Sequence, residues 1–152
     1  MTPPLPHALA LVCAGLFAGG AMMQSIVDHP ARLGAESAAG IDQMQRSLRH
    51  ADPYMPLLAV VGAGMAIWSY LVGAGLMDLL AALLLVAVVP FTWALILPVN
   101  RRIHAFKPGD ANVTEVAGHL RRWGRFHAFR SVSGTLALML LAGSSILESY
   151  VV

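Results

Sequence analysis

Long apolar tracts alternate with shorter polar segments along the chain. The tracts that contain no Asp, Glu, Lys or Arg are residues 1–27, 53–77, 79–100 and 131–147. A transmembrane helix needs about 20 mostly apolar residues, and backbone groups in lipid must pair inside a helix or a closed barrel. Because the apolar runs are continuous rather than alternating, they favour helices over a barrel. We expect transmembrane helices near residues 7–27, 54–74, 78–98 and 129–148.

The pattern predicts an all-α fold, an antiparallel bundle of four transmembrane helices formed by a single domain over residues 1–152. The connectors are expected at residues 28–53 and 99–112. The last helix is expected to begin before the membrane and to cover residues 113–148, with a juxtamembrane extension. Apolar residues at helical spacing leave the first connector as either a short surface helix or a solvated segment. These residues are Ile41, Met44 and Leu48.

Composition supports a membrane protein. Apolar residues make up 57% of the chain and charged residues 12%, about half the charged share of a soluble domain, and the mean hydropathy is +0.67. These values exclude a disordered tail, a coiled coil and a collagen-like rod. The first tract lacks the basic stretch that opens a signal peptide, so we interpret it as a retained helix.

The basic residues are distributed unevenly. The first connector holds Arg32, Arg46 and Arg49, and all other Lys and Arg residues lie between the third span and the start of the fourth. Lys and Arg mark the cytoplasmic side of a membrane, so both connectors are predicted to be cytoplasmic and both termini outside. Sparse Lys with abundant Ala, Gly, Leu and Val points to a bacterial inner membrane. No basic patch with interleaved aromatic residues indicates nucleic acid as a partner.

The start of the last helix carries the most informative polar residues. His119, Trp123, His127 and Arg130 share one helical face. An imidazole can accept a proton near neutral pH, an indole can stack on a planar ligand, and a guanidinium can hold an anion. The alternatives are a lipid-bonded His127, a membrane-interface anchor at Trp123 and a snorkelling, orientation-setting Arg130.

Other polar side chains are expected at the same depth in the bundle. Asn100 follows Pro98 at the end of the third span, and Gln24 and His29 lie at the end of the first. An amide can both donate and accept hydrogen bonds. The sequence therefore predicts a polar pocket at the cytoplasmic mouth of the bundle, although a helix-capping role for Asn100 is the alternative.

A metal site is considered because several histidines lie on the predicted cytoplasmic side. Imidazole suits Zn, Cu and Fe, but His119 and His127 are about 12 Å apart along a helix, too far to share one ion. A site would need ligands from several helices, so no metal ligand is assigned and no cofactor is firmly implied. A metal- or haem-binding redox protein remains an alternative. These histidines are His29, His50, His104, His119 and His127.

Glycines recur along the apolar tracts, and we interpret them as sites of close helix packing. Such faces can also bring two copies of the chain together, so a homo-oligomer is one expectation. A non-enzymatic protein that assembles with a membrane partner is the corresponding functional alternative. The glycines are Gly15, Gly19, Gly62, Gly64, Gly134 and Gly143.

Three short motifs resemble the anthrone oxygenase-like family of small four-helix membrane proteins, also called DUF1772. They are His29-Pro30 after the first span, Pro98-Val-Asn100-Arg101-Arg102 after the third, and Trp123-x3-His127-x2-Arg130 at the last. The length and the number of spans also fit this family. The family often has Asn after the Trp, where this chain has Gly124.

The resemblance implies a membrane oxidoreductase that oxidises an anthrone-like or other planar aromatic molecule with O2 as co-substrate and without an obvious organic cofactor. On this interpretation His127 removes a proton from the substrate, and Arg130 and Asn100 stabilise the anion that forms. Trp123 stacks on the ring system, and the further substrate-binding residues are His29, Gln24 and His119. The expected partners are the lipid bilayer and the hydrophobic aromatic substrate.

Overall fold

The structure is a computed structural model that describes residues 4–35, 37–107 and 113–150. Every regular element in these ranges is helical, which confirms the predicted all-α fold and the long last helix. The elements are α1 (Leu5–Met23), the π-helical turn π1 (Gln24–Asp28), α2 (His29–Gly34), α3 (Ser37–Leu71), α4 (Leu76–Phe91), the π-helical turn π2 (Thr92–Ile96), α5 (Leu97–Ala105) and α6 (Val113–Tyr150).

Four helical stretches in the described part of the chain are long and apolar enough to cross a membrane. They are Leu5–Gly34, Pro53–Leu71, Leu76–Ala105 and Thr114–Leu147. Within each stretch, only 28–39% of the most apolar 18 residues is buried inside the protein, so apolar side chains cover the outer surface as well as the interior. Helices that are apolar all round are typical of membrane spans, and the protein is an integral membrane protein.

The four spans form a closed ring. α1 packs against α3 and α6, and α4 packs against the same two helices from the other side. Small side chains dominate the shared core, because helices in lipid associate through close backbone approach rather than through apolar burial alone. The buried alanines of this core are Ala10, Ala14, Ala21, Ala59, Ala63, Ala66, Ala81, Ala82 and Ala137.

The glycines divide into two groups. A Cβ atom added at Gly62 would lie 3.0 Å from Cys13 Cβ, and one at Gly134 would lie 2.7 Å from the Phe17 ring, so both glycines permit tight helix packing. In contrast, a Cβ atom added at Gly19 or Gly64 would have no neighbour within 4 Å. These two glycines face open space and do not serve packing within the monomer.

A second apolar cluster lies at the end of the bundle that carries all ten Lys and Arg residues. We call this the basic end; it comprises α2, residues 37–52 of α3, α5 and residues 113–130 of α6. The first connector of the sequence prediction is largely helical here, because its apolar residues pack against α5 and α6. They are Ile41, Met44 and Leu48, all buried.

Helices extend further at the basic end than the apolar tracts do. Pro53 and Pro56 lie inside α3. Each lacks the N–H that would donate to the preceding turn. The helix nevertheless continues through the position where the sequence predicted a span to begin. Residues 99–105 of the second predicted connector continue as helix in α5. Residues 108–112 of that connector lie outside the described residues.

Candidate active site

A cavity enclosing about 190 Å³ lies where the basic end meets the spans. Its walls are mostly apolar and come from all four spans, with Leu48, Met55, Val88 and Leu97 among the lining side chains. It is larger than the ~150 Å³ apolar cavity that can hold a benzene molecule. A largely apolar cavity with a few convergent polar groups is the usual form of a small-molecule site.

Both π-helical turns border the cavity. π1 contributes Gln24, and π2 contributes Thr92 and Trp93. Each π turn is closed by a hydrogen bond that the residue just before a proline donates. The N–H of His29 donates to the Gln24 carbonyl, and the N–H of Leu97 donates to the Thr92 carbonyl.

Pro30 and Pro98 explain the position of these turns. Since neither residue has an N–H, the α-helical bond to the carbonyl four residues earlier is missing at each site. The helix can therefore widen by one residue, and π turns of this kind recur at functional sites. The same two prolines carry two of the sequence motifs, so the motifs mark the cavity walls.

His127 is buried on the cavity wall, and its hydrogen bonds define its tautomer. Ser131 Oγ donates to the Ala21 carbonyl at 2.9 Å, which uses the only proton of that hydroxyl. Ser25 Oγ lies 2.7 Å from Ser131 Oγ and must therefore donate to it. Since Ser25 has then no proton left for His127 Nδ1 at 3.1 Å, Nδ1 carries the hydrogen.

Burial in a mainly apolar wall that also carries the Arg130 guanidinium disfavours a second positive charge, so the imidazole is neutral and Nε2 is its unprotonated nitrogen. The chain of hydrogen bonds from His127 through Ser25 and Ser131 to the backbone of α1 also holds the ring in place. Its arrangement is that of a general base whose second nitrogen is oriented by a partner.

Trp123 stacks on His127, with ring centroids 4.3 Å apart and an interplanar angle of 25°. The indole is buried and lines the cavity, and its Nε1 has no hydrogen-bond partner among the described residues. The same is true of Thr92 Oγ1. Burial of a donor without a partner costs free energy, so both groups can donate to an acceptor atom of a ligand.

Arg130 and Asn100 complete the polar part of the cavity. Both side chains are buried and line it, Arg130 from α6 and Asn100 from α5. The guanidinium carbon of Arg130 lies 5.6 Å from the centre of the Phe17 ring, a cation–π contact. The cavity therefore combines a neutral base, a guanidinium, an amide and an indole N–H within mainly apolar walls.

The structure brings together five of the seven residues that the sequence predicted for the site and separates two. The five that line the cavity are Gln24, Asn100, Trp123, His127 and Arg130. His29 lies behind Trp123, with ring centroids 5.6 Å apart, and packs directly on Gly124. His119 borders a different groove beside α5, with its Nε2 3.7 Å from Glu115 Oε1.

Several residues around the cavity were absent from the sequence interpretation. Ser25 and Ser131 define the tautomer of His127, and Arg32 bonds three of the lining side chains, which are Gln24, Met44 and Ser47. Pro30 was the available signal for the π1 turn that carries Ser25. No signal distinguished Arg32 from a basic residue at the membrane surface.

The histidines do not form a cluster typical of a metal site. Within residues 4–35, 37–107 and 113–150, no group of three or more His, Cys, Asp or Glu side chains is arranged to hold a metal ion.

Comparison with known proteins identifies the family of the chain. The family model for anthrone oxygenase matches residues 44–140. The curated protein "Anthrone oxygenase tpcL" of Aspergillus fumigatus is 34% identical over 140 residues, covering 84% of this chain and 85% of the relative. No solved structure matches the chain. The resemblance predicted from the three motifs is confirmed, and the chain belongs to the anthrone oxygenase family as a small, oxygenase-like membrane protein.

Proposed function

We propose that the protein oxidises an anthrone-like planar aromatic molecule with O2 in the cavity at the basic end. The observation that carries this proposal is the neutral His127, whose unprotonated Nε2 belongs to a side chain lining a mainly apolar cavity beside Arg130 and Asn100. Its membership of the anthrone oxygenase family supports the substrate class.

The first step is removal of a proton from the methylene carbon of the anthrone by His127 Nε2. The electron pair of the broken C–H bond passes into the ring system and onto the carbonyl oxygen, giving an aromatic enolate. Hydrogen-bond donors stabilise that oxygen in a site with few waters far better than in bulk solvent. Arg130, Asn100 and the Trp123 N–H are the donors we assign to this role.

The second step is attack on O2. The enolate carbon gives one electron to O2 and the two radicals combine, so a C–O bond forms and a hydroperoxide results once a proton is added. Loss of the remaining C–H proton breaks the O–O bond, and the departing hydroxide leaves as water. The sum is anthrone plus O2 giving anthraquinone plus water. The substrate supplies all the electrons, so the proposed reaction uses O2 as co-substrate and needs no organic cofactor.

Substrate access through the bilayer fits this proposal. Trp93 borders the cavity and is 76% exposed on the outer face of π2. Both O2 and a planar aromatic molecule partition into the lipid that surrounds this face. We therefore propose that the substrate enters laterally, past Trp93.

We further propose that both termini lie outside, that the basic end is cytoplasmic and that the membrane is a bacterial inner membrane. The position of the Lys and Arg residues supports the orientation, and the composition supports the bacterial assignment. Homo-oligomerisation through the open faces at Gly19 and Gly64 is part of the same proposal. Reporter fusions at each terminus test the orientation, and a terminus found in the cytoplasm would contradict it.

Oxygen uptake and quinone formation by the detergent-purified protein test the proposed reaction. With anthrone as substrate, we expect one O2 consumed per quinone formed, at a rate well above the uncatalysed oxidation. His127→Ala should lose this activity while retaining the helical signal in circular dichroism. Uptake at the uncatalysed rate by the wild-type protein, or full activity in His127→Ala, would contradict the proposal.

A further inference from the structure

Arg32 is a buried cation beside the cavity, and the proposed reaction does not use it. Its side chain is 1% exposed. Nη1 donates to Gln24 Oε1 at 2.8 Å, and Nη2 donates to Ser47 Oγ at 2.9 Å. Asp28 lies four residues earlier, with Oδ2 3.7 Å from Arg32 Nη2, and its carboxylate partly balances the charge of the guanidinium. Arg32 thus joins two side chains that come from different helices.

Counting the hydrogens shows what these bonds do to Gln24 and Ser47. A guanidinium has only donors, so it can bond Gln24 only through the amide oxygen and Ser47 only through a lone pair of the hydroxyl. Both N–H groups of the Gln24 amide and the O–H of Ser47 are therefore left for other acceptors. Gln24 and Ser47 both line the cavity, so Arg32 makes this part of the wall a set of donors.

The backbones of α2 and α3 also meet at a point that does not involve the Arg32 side chain. A Cβ atom added at Gly40 of α3 would overlap the carbonyl oxygen of Arg32, so the two backbones are already in direct contact. A buried guanidinium carries a substantial desolvation penalty, and its position behind two lining polar groups accounts for its presence better than helix docking does.

We propose that Gln24 and Ser47, oriented as donors by Arg32, form a subsite that binds an oxygen atom of the planar aromatic ligand at a different ring edge from the carbonyl oxygen assigned to Arg130, Asn100 and Trp123. Gln24 and Ser47 line the same cavity as Arg130, Asn100 and Trp123. A ligand with oxygen atoms at more than one edge of its ring system, such as a quinone, matches two sets of donors in one cavity. Arg32 acts through Gln24 and Ser47 and is a positioning residue. The inference rests on the proposed function for its ligand class.

Binding of anthraquinone and of anthracene tests the subsite without any turnover. The two molecules have the same tricyclic shape, and only anthraquinone has carbonyl oxygens. Quenching of tryptophan fluorescence in the detergent-purified full chain reports their binding. We expect the wild-type protein to prefer anthraquinone.

Gln24→Glu is the most informative variant, because its carboxylate keeps the bond to Arg32 but offers no donor to the ligand. We expect the preference for anthraquinone to fall about tenfold, the effect of losing a hydrogen bond worth roughly 1 kcal/mol or slightly more, with anthracene binding unchanged. Arg32→Met should act in the same direction. Arg46→Met, on the exposed face of the same end, should leave the preference as in the wild type.

A preference that is unchanged in Gln24→Glu would overturn the subsite, as would an equal loss of affinity for both molecules, which indicates a structural role alone. The proposed oxidation fails separately. If the wild-type protein shows no oxygen uptake with anthrone but keeps a Gln24-dependent preference for anthraquinone, the subsite stands and the oxidation does not. Binding of neither molecule by the wild-type protein would contradict both.

Discussion

Two buried histidines at opposite ends of the bundle differ in what surrounds them. His7 uses both ring nitrogens within the protein: Nδ1 lies 2.8 Å from Asp78 Oδ2 and Nε2 lies 2.7 Å from Ser145 Oγ. His127 uses Nδ1 for Ser25, and its Nε2 is the unprotonated nitrogen of a side chain on a cavity wall. Neither of the two principal cavities of the described residues borders the cluster around His7.

The comparison teaches that burial and polarity together do not make a site. His7, Asp78 and Ser145 come from α1, α4 and α6, and their bonds join three helices where the apolar core ends. Because these groups bond one another across three helices, we expect the cluster to serve the fold and not a ligand. At the basic end a larger set of polar side chains lines a cavity, and among them Trp123 Nε1 and Thr92 Oγ1 lack a hydrogen-bond partner in the described part of the protein.

Replacing His127 should have the largest effect on turnover. His127→Ala removes the general base, and loss of such a group typically lowers the rate by about 10²–10⁴-fold. We expect the melting temperature to change far less than the rate. Quinone formation followed by absorbance measures the first quantity, and thermal unfolding by circular dichroism the second. A rate within a few-fold of the wild type would show that another group removes the proton.

Arg130→Met should lower kcat by about 10²-fold, the effect expected when a charged donor to a developing oxyanion is lost. Arg125→Met on the same helix is the matched control, because Arg125 is exposed. Steady-state kinetics with anthrone compare the two variants. Equal effects of both substitutions would indicate a general dependence on charge instead of stabilisation of the enolate.

Ser25→Ala should reduce kcat by about tenfold, as expected when the partner that orients a functional side chain is removed. Without the Ser25 hydroxyl, the hydrogen bond that favours a hydrogen on His127 Nδ1 is lost, and of these two contacts only the stacking on Trp123 still orients the ring. Ser133→Ala removes a buried hydroxyl of α6 and serves as the control. A wild-type rate in Ser25→Ala would contradict the tautomer derived from the hydrogen bonds.

Gly124→Ala should have a smaller effect, with KM raised a few-fold. The added Cβ atom would overlap His29 Nε2, so the imidazole must move away from Trp123, which it supports. Gly118→Ala on the same helix meets only Arg121 Nη2, at 4.0 Å, and controls for the gain in helix propensity. An identical KM in the two variants would argue against His29 as a support for Trp123.

His7→Ala should leave turnover at the wild-type level and lower stability. The substitution removes the side chain that bonds Asp78 Oδ2, and Asp78 is fully buried. An unsatisfied buried polar group costs about 1–3 kcal/mol, or more when charged. Thermal unfolding in detergent should show a clear decrease in melting temperature. A large loss of kcat in a folded His7→Ala protein would remove the distinction between the two ends.

The fold could be predicted from the sequence because the lipid environment imposes a simple rule. Charge-free tracts long enough to span the bilayer predicted the positions of all four spans. The shared helical face of Trp123, His127 and Arg130 predicted one wall of the cavity. The extent of the helices at the basic end was harder to predict, because Pro53 and Pro98 look like helix boundaries and tertiary packing continues the helix past each.

The residues that support the lining side chains could not be predicted, since they depend on contacts between distant helices. Ser25 reaches His127 across 102 residues of sequence, and Arg32 reaches Ser47 from another helix. Asp78 of α4 is likewise buried against His7 of α1, although 71 residues separate them in sequence. Sequence spacing reports faces of one helix, but these contacts are set by how four helices pack.

Deuterium exchange into anthrone without oxygen tests the central claim most directly. In anaerobic D2O, a base at His127 Nε2 should exchange the methylene hydrogens of anthrone for deuterium, which proton NMR detects as loss of the methylene signal. We predict that the wild-type protein accelerates this exchange above the buffer rate and that His127→Ala does not. Equal exchange rates for the two proteins, with quinone formation intact in air for the wild type, would contradict proton removal by His127.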